Sequence, residues 1–133
     1  MLLLKTMHIP GSDLPNCEGS VRHGDPASAF PGSLGFALPD ARLGVHATIF
    51  YDRIEEVTKL VIITVPKMLG HVMAHEIGHV LLGSTEHSSA GIMKAIWHRN
   101  DFQYDPAGRM EFTPEQRSVI RERASVRVLL QPE

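Results

Sequence analysis

The sequence lacks the features that mark several common protein classes. Its 133 residues include one cysteine, Cys17, so no disulfide can form within the chain, and the thiol is expected to be free or paired outside the chain. No apolar run approaches the roughly 20 residues of a membrane-spanning helix. The formal net charge is −2, and the basic residues form no cluster. Binding to a membrane or to nucleic acid is therefore not indicated.

Other signals are missing too. The apolar stretch at residues 1–5 is shorter than the core of a signal peptide, about 7–15 residues, and no cleavage site follows it. We find no internal repeat, no phosphate-binding glycine loop and no nucleophilic serine motif. The length and the ordinary apolar fraction of 43% favour one globular domain spanning residues 1–133. The sequence indicates no particular oligomeric state.

Strand-forming sequence lies mainly in the middle of the chain. Residues 10–44 are rich in Gly, Pro, Ser and Asp, which indicates irregular loops around one short strand at 34–38. Residues 45–51 are β-branched and aromatic and are the best candidate strand. The segments with weaker or ambiguous patterns are a strand at 2–9, a helix or turn at 52–59, and a strand or helix approach at 60–65.

The longest helical pattern covers residues 66–82. Pro66 suits the first helical position, and Gly83 suits a left-handed C-terminal cap. Gly78 lies inside the helix, where glycine costs about 1 kcal/mol relative to alanine, so we expect another segment to approach it closely. Apolar residues at helical spacing predict one broad apolar face, formed by Leu69, Val72, Met73, Ile77, Val80 and Leu81.

Two histidines interrupt this apolar pattern. His75 and His79 are four residues apart, so on a helix they share a face with Cβ atoms about 5–6 Å apart. Imidazoles at this spacing can bind one Zn²⁺, and Glu76 is placed to activate a zinc-bound water. His71 and His75 have the same spacing, but only the pair His75 and His79 encloses a glutamate. The alternative is that these are ordinary core or surface histidines.

A third imidazole follows the helix. Gly83 is expected to end the helix, and residues 84–87 then supply a turn and His87, which would reach the metal from another direction. Three protein ligands leave a fourth position for water, which is typical of a catalytic rather than a structural zinc site. The tripeptide Gly-Ile-Met at 91–93 comes shortly afterwards.

The segment from His75 to Met93 resembles the motif of the metzincin clan of zinc endopeptidases, most closely its matrixin-type branch or small bacterial relatives. The resemblance implies that His75, His79 and His87 are the zinc ligands. It also implies that Glu76 is the general base and that Met93 packs in a turn beneath the metal without coordinating it.

The resemblance implies a fold as well. It would be α+β, with a small twisted sheet, an active-site helix, a methionine-containing turn and a C-terminal helix. Residues 1–87 would form an upper subdomain with the zinc helix, and residues 88–133 a lower subdomain. The family usually has a long helix between its first two strands, for which we find no good candidate before residue 45. Members of the clan are mostly secreted.

The spacing after the second histidine departs from the family pattern. The family has the glycine three residues after that histidine and the last ligand three beyond it, whereas both intervals are four here, at Gly83 and His87. Glu86 is the nearest alternative ligand, and a glutamate from a later helix, Glu115 or Glu122, is another, as in thermolysin-like enzymes. The methionine turn that follows favours His87.

Three further positions each have two interpretations. By resemblance, residues 45–51 would be the edge strand that pairs with extended substrate, or else an interior strand without a ligand role. Trp97 would line the primed-side specificity pocket or fill the core, and the usual burial of tryptophan favours the core. Tyr104 would stabilise an oxyanion, or else lie in an exposed loop.

A second helix is predicted near the C-terminus. Thr113 can cap it, Pro114 suits its first position, and Gln116 completes a capping box. Its apolar side would be formed by Val119, Ile120, Ala124, Val128 and Leu129.

These patterns predict a zinc-dependent endopeptidase that hydrolyses peptide or protein substrates with a water activated by Glu76. One alternative is a latent or non-catalytic zinc-binding module with the same fold. Another is a metal-free interaction domain in which the motif arose by chance.

Overall fold

A two-stranded sheet precedes the helices. The computed structural model describes residues 32–39, 46–102 and 110–129. The elements in chain order are β1 (Gly35–Leu38), β2 (His46–Ile49), α1 (Tyr51–Thr58), α2 (Val65–Leu82), a 3-10 helix (Arg99–Phe102) and α3 (Pro114–Leu129). Helices combined with a small sheet agree with the α+β class predicted from the sequence. The predicted strand at 2–9, Cys17 and Tyr104 lie outside the described residues.

The strands β1 and β2 pair in antiparallel register. Gly35 pairs with Ile49, and Leu38 pairs with His46, so both predicted central strands are present with shorter bounds. Helix α2 contacts both strands. Before β2 the structure describes only residues 32–39, so the expectation that no long helix precedes residue 45 stays a prediction.

The segment between the sheet and α2 is helical and then turns. Helix α1 buries Ile54 and Val57, spaced three residues apart on one face, so the helix alternative at 52–59 is confirmed. Residues 60–64 form turns rather than a strand, with the Ile63 N–H donating to the Val61 carbonyl at 2.9 Å. They are the approach to α2.

Helix α2 has the predicted ends. It begins at Val65, one residue before the expected proline, and Gly83 follows it with φ 56°. The Gly83 N–H donates to the Val80 carbonyl, and the next N–H, of Ser84, donates to the His79 carbonyl. This left-handed cap satisfies carbonyls that the last turn would otherwise leave unpaired.

The predicted apolar face of α2 is partly wrong. Val72 is buried, but Met73 and Ile77 are 43% and 45% exposed. Their places on the buried side are taken by His75, Glu76 and His79, among others. The helix therefore buries two histidines and a glutamate and exposes two apolar side chains.

One main core cluster joins α1, α2 and the segment after the third histidine. Trp97 is 5% exposed within this cluster, which agrees with the core-filling interpretation. The buried members are Leu34, Ile54, Val57, Val61, Met68, Val72, Ile92, Met93, Trp97 and Phe102.

Helix α3 starts with the predicted capping box. The Thr113 N–H donates to Gln116 Oε1 at 2.9 Å, and the Gln116 N–H donates to Thr113 Oγ1 at 3.3 Å. The helix contacts α2, but its apolar side is only partly covered, since Ile120 is half-buried and Val119 is 38% exposed. Among the described helices none has the length and apolar character needed to cross a membrane.

Candidate metal centre

Three histidines from two segments converge at the inner face of α2. His75 and His79 lie on that helix, and His87 lies in the loop that follows it. One ring nitrogen from each lies within 4.8 Å of the others, close enough for the three to hold a single metal ion. His75 and His79 are 3% and 2% exposed, so bulk water has little access to these rings and competes little with an ion for their nitrogens.

Hydrogen bonds determine where the first two rings carry their protons. His75 Nδ1 lies 2.7 Å from the Ile92 carbonyl oxygen, and His79 Nδ1 lies 2.9 Å from the Ser84 carbonyl oxygen. A carbonyl can only accept, so Nδ1 must be the protonated nitrogen in both rings. In the neutral imidazoles each Nε2 therefore presents a lone pair. Carbonyl partners of this kind commonly orient metal-binding histidines.

The two lone pairs face each other. His75 Nε2 and His79 Nε2 are 3.2 Å apart, and with both Nδ1 atoms protonated neither Nε2 has a proton to share. Two nitrogens bound to one tetrahedral Zn²⁺ at roughly 2.0–2.1 Å would be about 3.3 Å apart. His87 Nε2 is buried and makes no hydrogen bond to the described residues. A shared cation would satisfy all three nitrogens.

Burial keeps these imidazoles neutral. It lowers the pKa of His75 to about 4, with the neighbouring His79 and His87 adding to the effect against the opposing Ile92 hydrogen bond. Burial and then the charge of His79 lower the pKa of His87 to about 4. The pKa of His79 is lowered by burial as well. Neutral imidazole is the form that binds metals, so the ligands are ready at neutral pH.

Glu76 is buried beside these ligands without a full set of partners. It is 1% exposed, its Oε2 makes no hydrogen bond to the described residues, and burial raises its pKa to about 8. Gly35 of β1 permits this placement, because a Cβ there would lie 3.1 Å from Glu76 Oε1 and 2.7 Å from the Thr48 carbonyl oxygen. A buried carboxyl with a raised pKa is typical of a functional site.

Gly35 also shows which strand lies over the glutamate. The sequence offered residues 45–51 either as the strand that would pair with substrate or as an interior strand, and it is β1 that lies against Glu76. The pairing role of 45–51 stays a prediction.

The turn at 91–93 connects the first and third ligands. The Ile92 carbonyl accepts a hydrogen bond from His75 Nδ1–H. The Met93 carbonyl accepts one, at 2.9 Å, from the N–H of Ser88, the residue after His87. Gly91 has φ 75°, and a side chain there would overlap the Glu111 carbonyl, which accepts the Ile92 N–H at 2.9 Å.

Gly78 has the packing reason expected from the sequence. A Cβ at this position would lie 2.5 Å from Met93 Sδ and 2.8 Å from Phe112 Cε1. Met93 is fully buried. Since glycine lets this methionine and the segment before α3 pack directly onto α2, its helix-propensity cost is offset by close contact.

The remaining candidates lie outside the cluster. The ring of His71 packs near Trp97 and Phe102, with centroids 6.5 and 6.3 Å away, and burial followed by the charge of Lys67 lowers its pKa. The three alternative ligands are exposed and are not part of the histidine group: Glu86, Glu115 and Glu122.

Sequence reasoning missed the backbone groups that orient the ligands. The carbonyls of Ser84, Ile92 and Glu111 have no sequence signature, because every residue has one. Gly35 was also missed, although its place in a predicted strand is a signal of close backbone approach.

Comparisons of this chain with protein-family models, with curated proteins and with solved structures find no match. The likeness to metzincins therefore depends on the residues from His75 to Met93. The structure shows that three of these residues, all histidines, lie close enough to hold a metal ion.

Proposed function

We propose that the chain is a zinc-dependent endopeptidase, with His75, His79 and His87 as ligands and Glu76 as the general base. The observation that carries the proposal is the convergence of three imidazoles beside a buried carboxyl whose Oε2 has no hydrogen-bond partner among the described residues. Three neutral imidazoles would fill three of the four positions of a tetrahedral ion and leave one for water, which suits catalytic zinc, although copper, iron and nickel also bind imidazole. When bound, the ion would supply Lewis acidity that polarises the scissile carbonyl.

Glu76 would move the proton. In the proposed reaction its carboxylate takes a proton from the attacking water and delivers it to the nitrogen of the leaving amine. Burial supports this role, because a carboxyl whose pKa is raised to about 8 holds a proton more strongly than an exposed one. The nearby cationic charge of an ion would lower that pKa and favour the carboxylate before the reaction. The substrates would be peptides or unfolded proteins.

The test combines metal content with cleavage of a generic unfolded protein. We expect one zinc per chain in the natural protein and in Glu76→Gln, with cleavage reduced about 10²- to 10⁴-fold in the variant. Glu86→Gln is the matched control, since Glu86 is exposed and outside the cluster. It should keep both zinc and cleavage. Undiminished zinc-dependent cleavage by Glu76→Gln would contradict the proposed role of Glu76.

A second candidate function is a zinc-binding module without peptidase activity. It is favoured by the burial of His75, Glu76 and His79, which are at most 3% exposed and leave His87 as the more accessible ligand. This candidate predicts stoichiometric zinc with no cleavage in either the natural protein or the Glu86→Gln control. The same experiment therefore separates the two functions.

A further inference from the structure

We propose that Trp97 is a positioning residue for the metal ligand His75 and acts through the carbonyl of Ile92. This inference rests on the proposed metal site and adds a residue to it that coordinates nothing. Trp97 lies outside the histidine motif, five residues beyond Ile92.

Two donors share the Ile92 carbonyl. His75 Nδ1 donates to it at 2.7 Å, and Trp97 Nε1 donates to it at 3.2 Å. A carbonyl oxygen has two lone pairs, and the indole N–H can only donate, so the pair of donors uses the acceptor fully. The indole thereby restrains the direction of the oxygen to which His75 is bound.

The indole also contacts the imidazole directly. The rings of Trp97 and His75 meet edge to face, with centroids 5.4 Å apart and an interplanar angle of 82°. His75 also stacks against His87, with ring centroids 5.4 Å apart. Rotation of the His75 ring would move its Nε2 away from His79, and these two neighbours oppose that rotation.

Trp97 has a further aromatic neighbour. The rings of Trp97 and Phe102, which lies in the 3-10 helix, meet edge to face with centroids 5.9 Å apart. Asp101 links residues on both sides of Trp97. Its carboxylate pairs with Lys94 at 2.8 Å and accepts a hydrogen bond from the backbone N–H of His98 at 2.6 Å. These contacts restrain the indole, and the indole in turn restrains the Ile92 carbonyl and the His75 ring.

The chain has one tryptophan, which allows a single-atom test. Biosynthetic replacement of tryptophan by benzothienylalanine changes position 97 only, exchanging the N–H donor for sulfur while keeping the bicyclic shape. Replacement by 5-fluorotryptophan is the matched control, because it keeps the donor. Zinc affinity is measured by competition with a chromophoric chelator, and ligand geometry by the visible absorption spectrum of the Co²⁺ form.

Loss of the donor should weaken zinc binding by about tenfold, the lower end of the effects seen when groups that orient metal ligands are removed. The Co²⁺ spectrum should shift, and in the metal-free protein the NMR signal of the His75 Nδ1–H should move while that of His79 does not. The fluorinated protein should match the natural one in all three measurements. A purely space-filling tryptophan would move none of them.

The outcomes separate this inference from the proposed function. Equal zinc affinity and equal Co²⁺ spectra for the natural and benzothienyl proteins would overturn the positioning role alone. Equal shifts at His75 and His79 would also overturn it, because they would report a general disturbance of the site. Failure of the natural protein to bind zinc would overturn the proposed function and this inference with it.

Discussion

The inner and outer faces of α2 reverse the usual pattern of a helix that packs on a core. Over residues 73–79 the inner face buries His75, Glu76 and His79, while Met73 and Ile77 are more than two-fifths exposed on the outer face. Burying polar groups costs free energy unless they are partnered. The inner face is therefore maintained by specific partners, namely two carbonyls and the proposed ion, rather than by apolar burial alone.

The largest expected difference between the two faces is sensitivity to metal removal. At free zinc 1,000-fold above the dissociation constant, chelation should lower the free energy of unfolding by about 4 kcal/mol, because zinc binds the folded inner face. Thermal unfolding with and without chelator measures this loss. In His79→Ala the two curves should coincide. A chelator effect of equal size in that variant would refute the assignment of the site.

Two glycines of α2 offer a direct comparison of packing. Gly78→Ala should destabilise the protein by about 1–3 kcal/mol, because its Cβ would overlap Met93 and Phe112. Gly70→Ala, where a Cβ would meet nothing within 4 Å, should stabilise it by up to about 1 kcal/mol. Denaturant unfolding of both variants is the measurement. Effects of the same sign would show that the two positions are not packed as differently as described.

The metal-free protein should lose stability as the pH rises above about 7.5. Burial raises the pKa of Glu76 to about 8, above its value of 4.5 in the unfolded chain, so the folded state binds the extra proton between these values. From pH 7.5 to 9 this proton is progressively lost, and the free energy of unfolding should fall by about 1 kcal/mol. The three ligand histidines have lowered pKa values and act in the opposite direction, raising stability as the pH rises through 6.5, so their effect is nearly complete by pH 7.5.

Glu76→Gln cannot ionise and is the control for this pH dependence. Urea unfolding in the presence of chelator should give it a nearly flat stability between pH 7.5 and 9, where the histidines are neutral in both the folded and the unfolded chain. If the natural protein and the variant fall in parallel, another group is responsible for the slope.

The smallest effects belong to the outer face. Met73→Ser and Ile77→Ser should each change the free energy of unfolding by no more than about 1 kcal/mol, because nearly half of each residue's surface is already in water. Zinc affinity should not change. Thermal unfolding and zinc competition test both statements, and a loss of several kcal/mol would mean that these side chains are covered in solution.

Features that depend on near neighbours in sequence were predictable. The capping box of Thr113 and Gln116 and the left-handed Gly83 use hydrogen bonds between residues only a few positions apart. The pairing of His75 with His79 follows from helix geometry alone. The methionine that follows His87 was enough to favour this residue as third ligand despite its altered spacing.

Features that depend on distant neighbours were not predictable. Met73 and Ile77 fit the apolar period of α2, but periodicity does not reveal which side of a helix a functional cluster will occupy. The strand at 45–51 has the stronger β pattern, yet β1 lies against Glu76, since Gly35 permits an approach that a side chain would block.

Local sequence is enough to specify the helix that carries two histidines and a glutamate, the ends of that helix, and the third histidine after it, because these properties arise within a few residues of chain. The direction in which His75 presents its nitrogens depends on the packed fold. The Ile92 carbonyl lies 17 positions from His75, and the Glu111 carbonyl that holds Ile92 lies still further along the chain. Such contacts form only when separate segments pack together, and a backbone carbonyl leaves no mark in the sequence.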